Sequence, residues 1–201
     1  MAVEAAPPGL AAGHTTRSAE VLALRRLTHS ALAVELDTPR TYRESVELFR
    51  IGRREIEAMP DGIDLGGPLL DSLALLGLMS REALLDPDSS AFKQGRDAVL
   101  GAADTAMGHL WLVTATNHRR DQIAAGRAWM RTALAATGAG IGLHPLSQAL
   151  QEFPEMAPWY AQAHRSLAPD GGTVQMLARL GYAATVPPSP RWALETRILS
   201  S

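Results

Sequence analysis

Two short segments of this chain carry residue types that could do chemistry. The first, Gly140-Ile-Gly-Leu-His-Pro-Leu-Ser-Gln148, follows a long Ala/Gly-rich run. Pro145 suits the first turn of a helix, so the N–H groups of Ser147 and Gln148 would start that helix without intrahelical acceptors. Free donors at a helix start serve an anion or an acceptor on a bound ring; the alternative is ordinary capping by solvent or by the Ser147 hydroxyl. The second segment, Pro188-Ser-Pro-Arg191-Trp-Ala-Leu-Glu195, holds a late, isolated cation. The Arg191 guanidinium either grips a phosphate with two parallel N–H groups or pairs with Glu195 four residues on. A flat, polar, phosphate-bearing ligand would use both segments.

Other chemistries find little support. The six histidines, His14, His29, His109, His118, His144 and His164, show no H-E-x-x-H pairing, and the absence of cysteine removes thiolate ligands, disulfides and a Cys nucleophile together. No serine lies in a G-x-S-x-G elbow, and Ser147 has no adjacent base in the sequence. Gly138-Ala-Gly140-Ile-Gly142 follows a helix, whereas a dinucleotide loop must follow a strand; a helix C-cap accounts for these glycines. Arg43, Glu47, Arg50, Arg53, Arg54, Glu55 and Glu57 read as a solvated charge lattice on one helix face; the arginines could instead bind phosphate, but the interleaved acids favour the lattice. Trp129, Trp159 and Trp192 either line an apolar slot or fill the core.

Composition sets outer limits. The 201 residues are 46% apolar, enough for a sizeable core, and 19 Lys and Arg against 21 Asp and Glu give a net charge of −2. That balance does not point to nucleic acid. No apolar run approaches the roughly 18 residues that span a bilayer, and Met1 to Leu10 carries an acid instead of the basic start of a signal peptide. The expectation is a chain that stays in the cytoplasm, with no membrane partner.

The elements that must position these residues are mostly helices. Residues 1–17, rich in Ala, Pro, Gly and Thr, read as a flexible arm, and 18–201 as one domain. Ser18 to about Arg26 is a short helix, broken by Asp37-Thr-Pro39. Thr41-Tyr-Arg-Glu44 has capping-box spacing and opens a helix whose apolar groups run to Met59, before Pro60-Asp-Gly62. Further helices cover Leu69 to Leu78, the residues after Ser80, and the stretch from Ser89 or Ser90 to Ala103. His109 to Thr116 is the best strand. Asn117 caps a helix over 118–137 with an inward stripe of Ile123, Gly126, Met130, Ala133, Leu134 and Thr137. A helix bracketed by Pro154 and Pro158 runs to Leu167, Asp170-Gly-Gly172 turns the chain, and Thr173 to Tyr182 is a second strand before an extended tail from Pro187. The count is α+β with a small sheet.

In this order the residues carry a resemblance. Ala125-Gly126, Ala135-Ala-Thr-Gly138, Gly142-Leu-His-Pro-Leu-Ser-Gln148, Val174-Gln-Met-Leu-Ala-Arg-Leu-Gly-Tyr182 and Ser189-Pro-Arg191-Trp-Ala-Leu-Glu195 together resemble the C-terminal half of a nitroreductase-family flavoprotein, more narrowly the Acg-like branch of FMN-binding oxidoreductases. Thr28-His-Ser-Ala31, Glu35, Thr38-Pro39, Pro60-Asp-Gly-Ile63, Thr116-Asn117 and Gln122 are similar to that branch too. The resemblance runs from about Leu27 onward. It implies a helix-rich α+β sandwich with a small sheet, a partial form of the longer fold, with FMN at the interface of a homodimer or beside a missing N-terminal half. It also implies NAD(P)H as donor and two-electron reduction of small nitro compounds or quinones. By the same resemblance Ser147 and Gln148 offer backbone N–H groups to the flavin, Pro145 and Leu146 shape the approach, and Arg191, with Ser189 beside it, reads the FMN phosphate. The family's N-terminal Arg-Arg-Ser-x-Arg and Asn-x-Gln-Pro-Trp segments have no counterpart, and Arg25-Arg26-Leu-Thr-His-Ser30 reads instead as a helix end. Two other functions compete with the oxidoreductase: a flavin-binding or sequestering protein without turnover, and a helical interaction module without cofactor.

Overall fold

A computed structural model describes residues 9–184, 186 and 188–198. The chain opens on β1 (Leu10–Thr15), α1 (Ser18–Asp37) and α2 (Pro39–Leu48), followed by β2 (Phe49–Ile51), α3 (Gly52–Ala58) and β3 (Ile63–Leu65). Next come α4 (Pro68–Leu75), α5 (Arg81–Leu85), α6 (Ser90–Ala103), β4 (Gly108–Thr114) and α7 (Arg119–Gly138). The described elements end with β5 (Gly142–Pro145), α8 (Ala157–Leu167) and β6 (Thr173–Gly181), with single 3₁₀ turns at Gln148–Leu150, Pro154–Met156 and Leu194–Thr196. Where one domain from residue 18 was expected, the chain divides into two compact units: Met1–Glu35 with Val99–Ala184, and Leu36–Ala98 with Thr185–Ser201.

The first unit is built on a four-stranded sheet in the order β1-β4-β6-β5, every pair antiparallel. One face carries α1 and α8: Leu24, Leu27 and Ala31 meet Ala163, Leu167, Val174 and Leu177, with Trp111 and Trp159 packed against them. The other face carries α7, where Ala125, Ala128 and Trp129 meet Leu10, Leu112 and Met176. A bulge lets β6 serve both layers. Leu112 pairs with Met176 but Val113 pairs with Val174, so Gln175 is the extra residue. Its side chain is used at once, donating to Thr114 Oγ1 at 2.8 Å and to Asn117 Oδ1 at 3.0 Å.

Residues 10–15 correct the expected flexible arm; residues 1–8 lie outside the described part. Leu10 to Thr15 form a six-residue ladder with β4, and Leu10 and Thr15 are buried. The small residues that suggested a loose segment are a packing requirement. Gly13 lies opposite Trp111, and a Cβ there would overlap the indole ring.

The α7 stripe is also corrected. Ile123, Met130 and Leu134 are 47%, 58% and 65% exposed, whereas the buried positions are Ala125 and Ala136. Alanines let the helix backbone approach the sheet closely, and Ile123, Met130 and Leu134 are left exposed. The cap is His118, whose N–H donates to Asp121 at 3.2 Å, while Asn117 accepts from Gln122 and Gln175. The helix at Ser18 continues to Asp37, so Arg25 and Arg26 sit within it and not at its end.

In the second unit the expected helix from Thr41 to Met59 is two helices separated by β2, which pairs in parallel with β3. Phe49 is extended at the end of α2, and Phe49-Arg-Ile51 aligns with Ile63-Asp-Leu65. The capping box is absent: α2 starts at Pro39, and the Thr41 hydroxyl donates to the Thr38 carbonyl at 2.9 Å. The expected start at Ser80 is present, with Ser80 Oγ accepting from Ala83 N–H at 3.2 Å. Tyr42, Val46, Ile51 and Leu84 form the core of this unit, with Phe92 set edge-on to Tyr42. The charge lattice is partly paired along one helix, as in Arg53 with Glu57 at 2.6 Å, and partly across elements, as in Arg81 with Glu55 at 2.7 Å. Hydrogen bonding from Arg81 is the main reason the Glu55 carboxyl is pulled down to about 2.

His109, on β4, is 0% exposed and neither ring nitrogen has a partner. Burial, reinforced by the positive charge of Arg25, holds its pKa down at about 4. As pH falls below about 6.5 the unfolded chain takes up a proton that the folded chain refuses until about pH 4, so stability is lost across that window and is level below it. The expected loss attributable to this group is about 3 kcal/mol. Urea unfolding at several pH values should show a His109→Leu variant with a shallower decline than the parent between pH 6.5 and 4; equal slopes would remove His109 as the cause.

Candidate functional site

The loop after α7 is positioned by the sheet. Helix α7 ends on a left-handed Gly140 (φ +67°), with Gly140 N–H to Thr137 O at 3.0 Å and Ile141 N–H to Ala136 O at 2.9 Å, so the glycine C-cap reading holds. The chain then runs along the edge of β6 as β5, with Gly142 opposite Gly181 and Pro145 opposite Ala178. Pro145 therefore closes a strand and does not open a helix. The physical reason is the register with β6, which keeps the chain extended through Pro145 and delays the turn to Gln148–Leu150.

Beyond Pro145, Leu146 is 3% exposed and its N–H donates to Leu177 O at 2.9 Å. The Ser147 hydroxyl donates to the same carbonyl at 2.9 Å. That hydroxyl is used inside the fold, so the capping role considered for it is not what it does. The N–H groups of Ser147 and Gln148 have no partner among the described residues. Gln148 Oε1 is buried and also lacks a partner. One loop thus gathers two unpaired main-chain donors and one unpaired side-chain acceptor.

His144, beside this loop on β5, faces Arg179, whose Nε lies 3.3 Å from Nδ1. Burial, then the Arg179 charge, holds its pKa below the usual histidine value. Arg179 is itself anchored to Ala102 O and Thr105 Oγ1. His164 spans Tyr160 O at 3.0 Å and Val174 N–H at 3.1 Å, a structural bridge between α8 and β6. Among the described residues no group of three or more His, Asp or Glu could hold a metal ion. No described helix is long and apolar enough to cross a membrane.

Ser189 and Arg191 belong to the second unit and share a cleft of about 320 Å³ with Arg50, Asp61, Asp64 and Trp192. Arg191 is exposed, its Nη1 donates to Pro190 O at 2.8 Å, and no ion pair with Glu195 forms. The cleft counts two guanidinium and two carboxylate groups. Arg50 is matched by Asp61 at 2.7 Å and Asp64 turns one oxygen to Gly66 N–H, so of the two guanidiniums Arg191 is the one without a carboxylate partner. The three tryptophans do not form one slot: Trp159 and Trp129 pack in separate clusters of the first unit, and Trp192 lines the cleft of the second. Asp61 was not singled out as a site residue from the sequence, Arg50 was read as part of a charge lattice, and Trp192 was weighed only as a slot or core residue. Pro60-Asp-Gly62 reads there as a helix stop, and nothing local marks Asp61 as a partner of two distant side chains.

No family profile matches the sequence, and no curated protein matches it. Among solved structures the chain is similar to the FMN-dependent nitroreductase NfnB from Mycobacterium smegmatis, crystallised in complex with NADPH: 21% identity, 99% of this chain and 84% of that chain, with a TM-score of 0.53. The likeness establishes the fold, a helix-rich α+β arrangement with a small sheet of nitroreductase type.

A buried amide oxygen without a donor costs about 1–3 kcal/mol. Replacing Gln148 by Met should therefore raise the thermal midpoint of the ligand-free chain by a few degrees, about 1 kcal/mol of added stability. A midpoint that falls would show that the Gln148 oxygen is satisfied and not held in reserve.

Proposed function

We propose that this protein is an FMN-dependent oxidoreductase of nitroreductase type, passing two electrons from NAD(P)H to small nitro compounds or quinones. The observation that carries the reading is the loop at Ser147 and Gln148. Two unpaired N–H donors and a buried, unpaired amide oxygen match the edge of a flavin ring, which presents acceptor atoms beside a ring N–H. The fold on which this loop sits is the one shared with NfnB.

FMN, when bound, accepts two electrons and a proton from the nicotinamide and hands them on to the oxidised substrate. The chain supplies fixed donors. Ser147 and Gln148 N–H groups stabilise negative charge on the ring edge without reorganising, because Leu146 N–H and the Ser147 hydroxyl already tie the loop to Leu177. Pro145 and Leu146 shape the approach, the first as a rigid strand end and the second as a buried anchor. Arg191 takes the phosphate, with the Ser189 hydroxyl beside it. No side chain is needed as acid or base. The motif order supports the finer placement in the Acg-like branch as its C-terminal half, with the site completed by a second copy or by an N-terminal half.

Absorbance spectra of the purified chain with and without excess FMN test the proposal; a protein that remains colourless and flavin-free ends it. Given binding, Arg191→Ala should weaken FMN affinity about tenfold, the loss of one charge-assisted contact of about 1.5 kcal/mol. Unchanged affinity would return Arg191 to the role of a surface cation.

A further inference from the structure

The two guanidiniums of the second unit's cleft have different fates. Arg50 is committed. Its side chain is 13% exposed, Nη2 and Nε reach Asp61 Oδ1 at 2.7 and 3.2 Å, and Nη1 lies 3.3–3.4 Å from the carbonyl oxygens of Glu47, Leu48 and Phe49 at the end of α2. Gly62, left-handed at φ +79°, makes this approach feasible: a Cβ there would collide with the Leu48 carbonyl. The other Asp61 oxygen, Oδ2, accepts from Trp192 Nε1 at 3.2 Å. The far side of that tryptophan carries Arg197, 4.2 Å from the ring centroid.

The segment around Arg191 has little else to fix it. Its only regular structure among the described residues is the 3₁₀ turn at Leu194–Thr196, so no strand ladder or helix sets the direction of residues 188–193. The indole is the neighbour of Arg191 in the chain, and both line one cleft with Asp61. Arg50, and after it Trp192, keep the Asp61 carboxyl below the usual carboxylate range, so it is charged at neutral pH.

We propose that Asp61 is the positioning residue for Arg191: one carboxylate oxygen is held by the half-sequestered Arg50, the other grips the Trp192 N–H, and the tail backbone is thereby set so that the Arg191 guanidinium stays free in the cleft for a phosphate monoester. This rests on the reading of Arg191 as the FMN phosphate contact. The ligand feature that Asp61 governs is the phosphate alone. Affinity for riboflavin, which lacks the phosphate, is then indifferent to Asp61.

Dissociation constants for FMN and for riboflavin, measured by fluorescence quenching on the parent chain and on Asp61→Ala, Asp61→Asn, Trp192→Phe and Arg191→Ala variants, test this. Asp61→Ala should weaken FMN binding about fivefold and leave riboflavin binding unchanged, with Asp61→Asn, which keeps an acceptor oxygen, in between. Trp192→Phe keeps the ring under Arg197 and removes only the N–H; about a threefold loss for FMN alone is expected. It decides the matter if Asp61→Ala fails to fold. A parent chain that binds FMN through Arg191, with both Asp61→Ala and Trp192→Phe binding it as tightly or more tightly, overturns the positioning role alone. Equal losses for FMN and riboflavin overturn it too, by showing general damage to the fold. A parent chain that takes up no FMN, or an Arg191→Ala variant that binds it normally, overturns the functional reading and this role with it.

Discussion

The chemistry of the first unit depends on where one peptide of β6 lies. Leu177 is fully buried beneath α1 and α8, and its carbonyl accepts both the Leu146 N–H and the Ser147 hydroxyl. That peptide is placed by the bulge two residues earlier. Without the extra Gln175, Leu177 would point to the α7 face, its register with Trp111 would be lost, and the loop after β5 would have no matching acceptor. The bulge is stabilised by side-chain chemistry, since Gln175 bonds Thr114 and Asn117 at the end of β4. A fixed loop follows from a fixed strand, and fixed N–H donors follow from the loop.

This construction explains why the polar groups of the loop divide so cleanly. Those that hold the loop in place are paired: Leu146 N–H, the Ser147 hydroxyl, and Ser147 O, which accepts Leu150 N–H at 2.9 Å. The Ser147 and Gln148 N–H groups are not. N–H groups at the start of a 3₁₀ turn have no acceptor within it, so these two lie free beside the orphaned Gln148 amide oxygen.

The legible parts of the fold are those where a local rule and the tertiary contacts agree. The β-rich runs at Gly108–Thr114 and Thr173–Gly181, the Ser80 cap and the glycine end of α7 all appear within a residue or two of the expected place. The illegible parts are those decided across the chain. Leu10–Thr15 can pair with β4 because Gly13 leaves room for the Trp111 ring opposite it, a fit that no local pattern of Ala and Gly announces. The inward face of α7 was misread because periodicity favours large apolar groups, whereas the contact with the sheet selects Ala125 and Ala136. Of the proposed site, the loop could be picked out from the sequence but its geometry could not: the free N–H groups come from the end of a strand and not from a proline-started helix. Arg191 could be found as an isolated cation, but its freedom from Glu195 and the commitment of Arg50 to Asp61 are settled only in three dimensions.

Among the described residues of the first unit, His109 and Gln148 hold buried polar atoms without partners, and they do not mean the same thing. His109 sits on the central strand of the sheet, fully enclosed, with a neutral imidazole as the consequence of burial beside Arg25. Its cost is one of packing, tolerated because the neutral ring fills volume that an ion could not. Gln148 lies at a chain turn, is only half-buried as a residue, and shares that turn with two free donors. A single unsatisfied atom is weak evidence of a site, since natural folds carry a few. An acceptor without a partner beside two free main-chain donors is the pattern that a ligand edge of complementary donors and acceptors would meet.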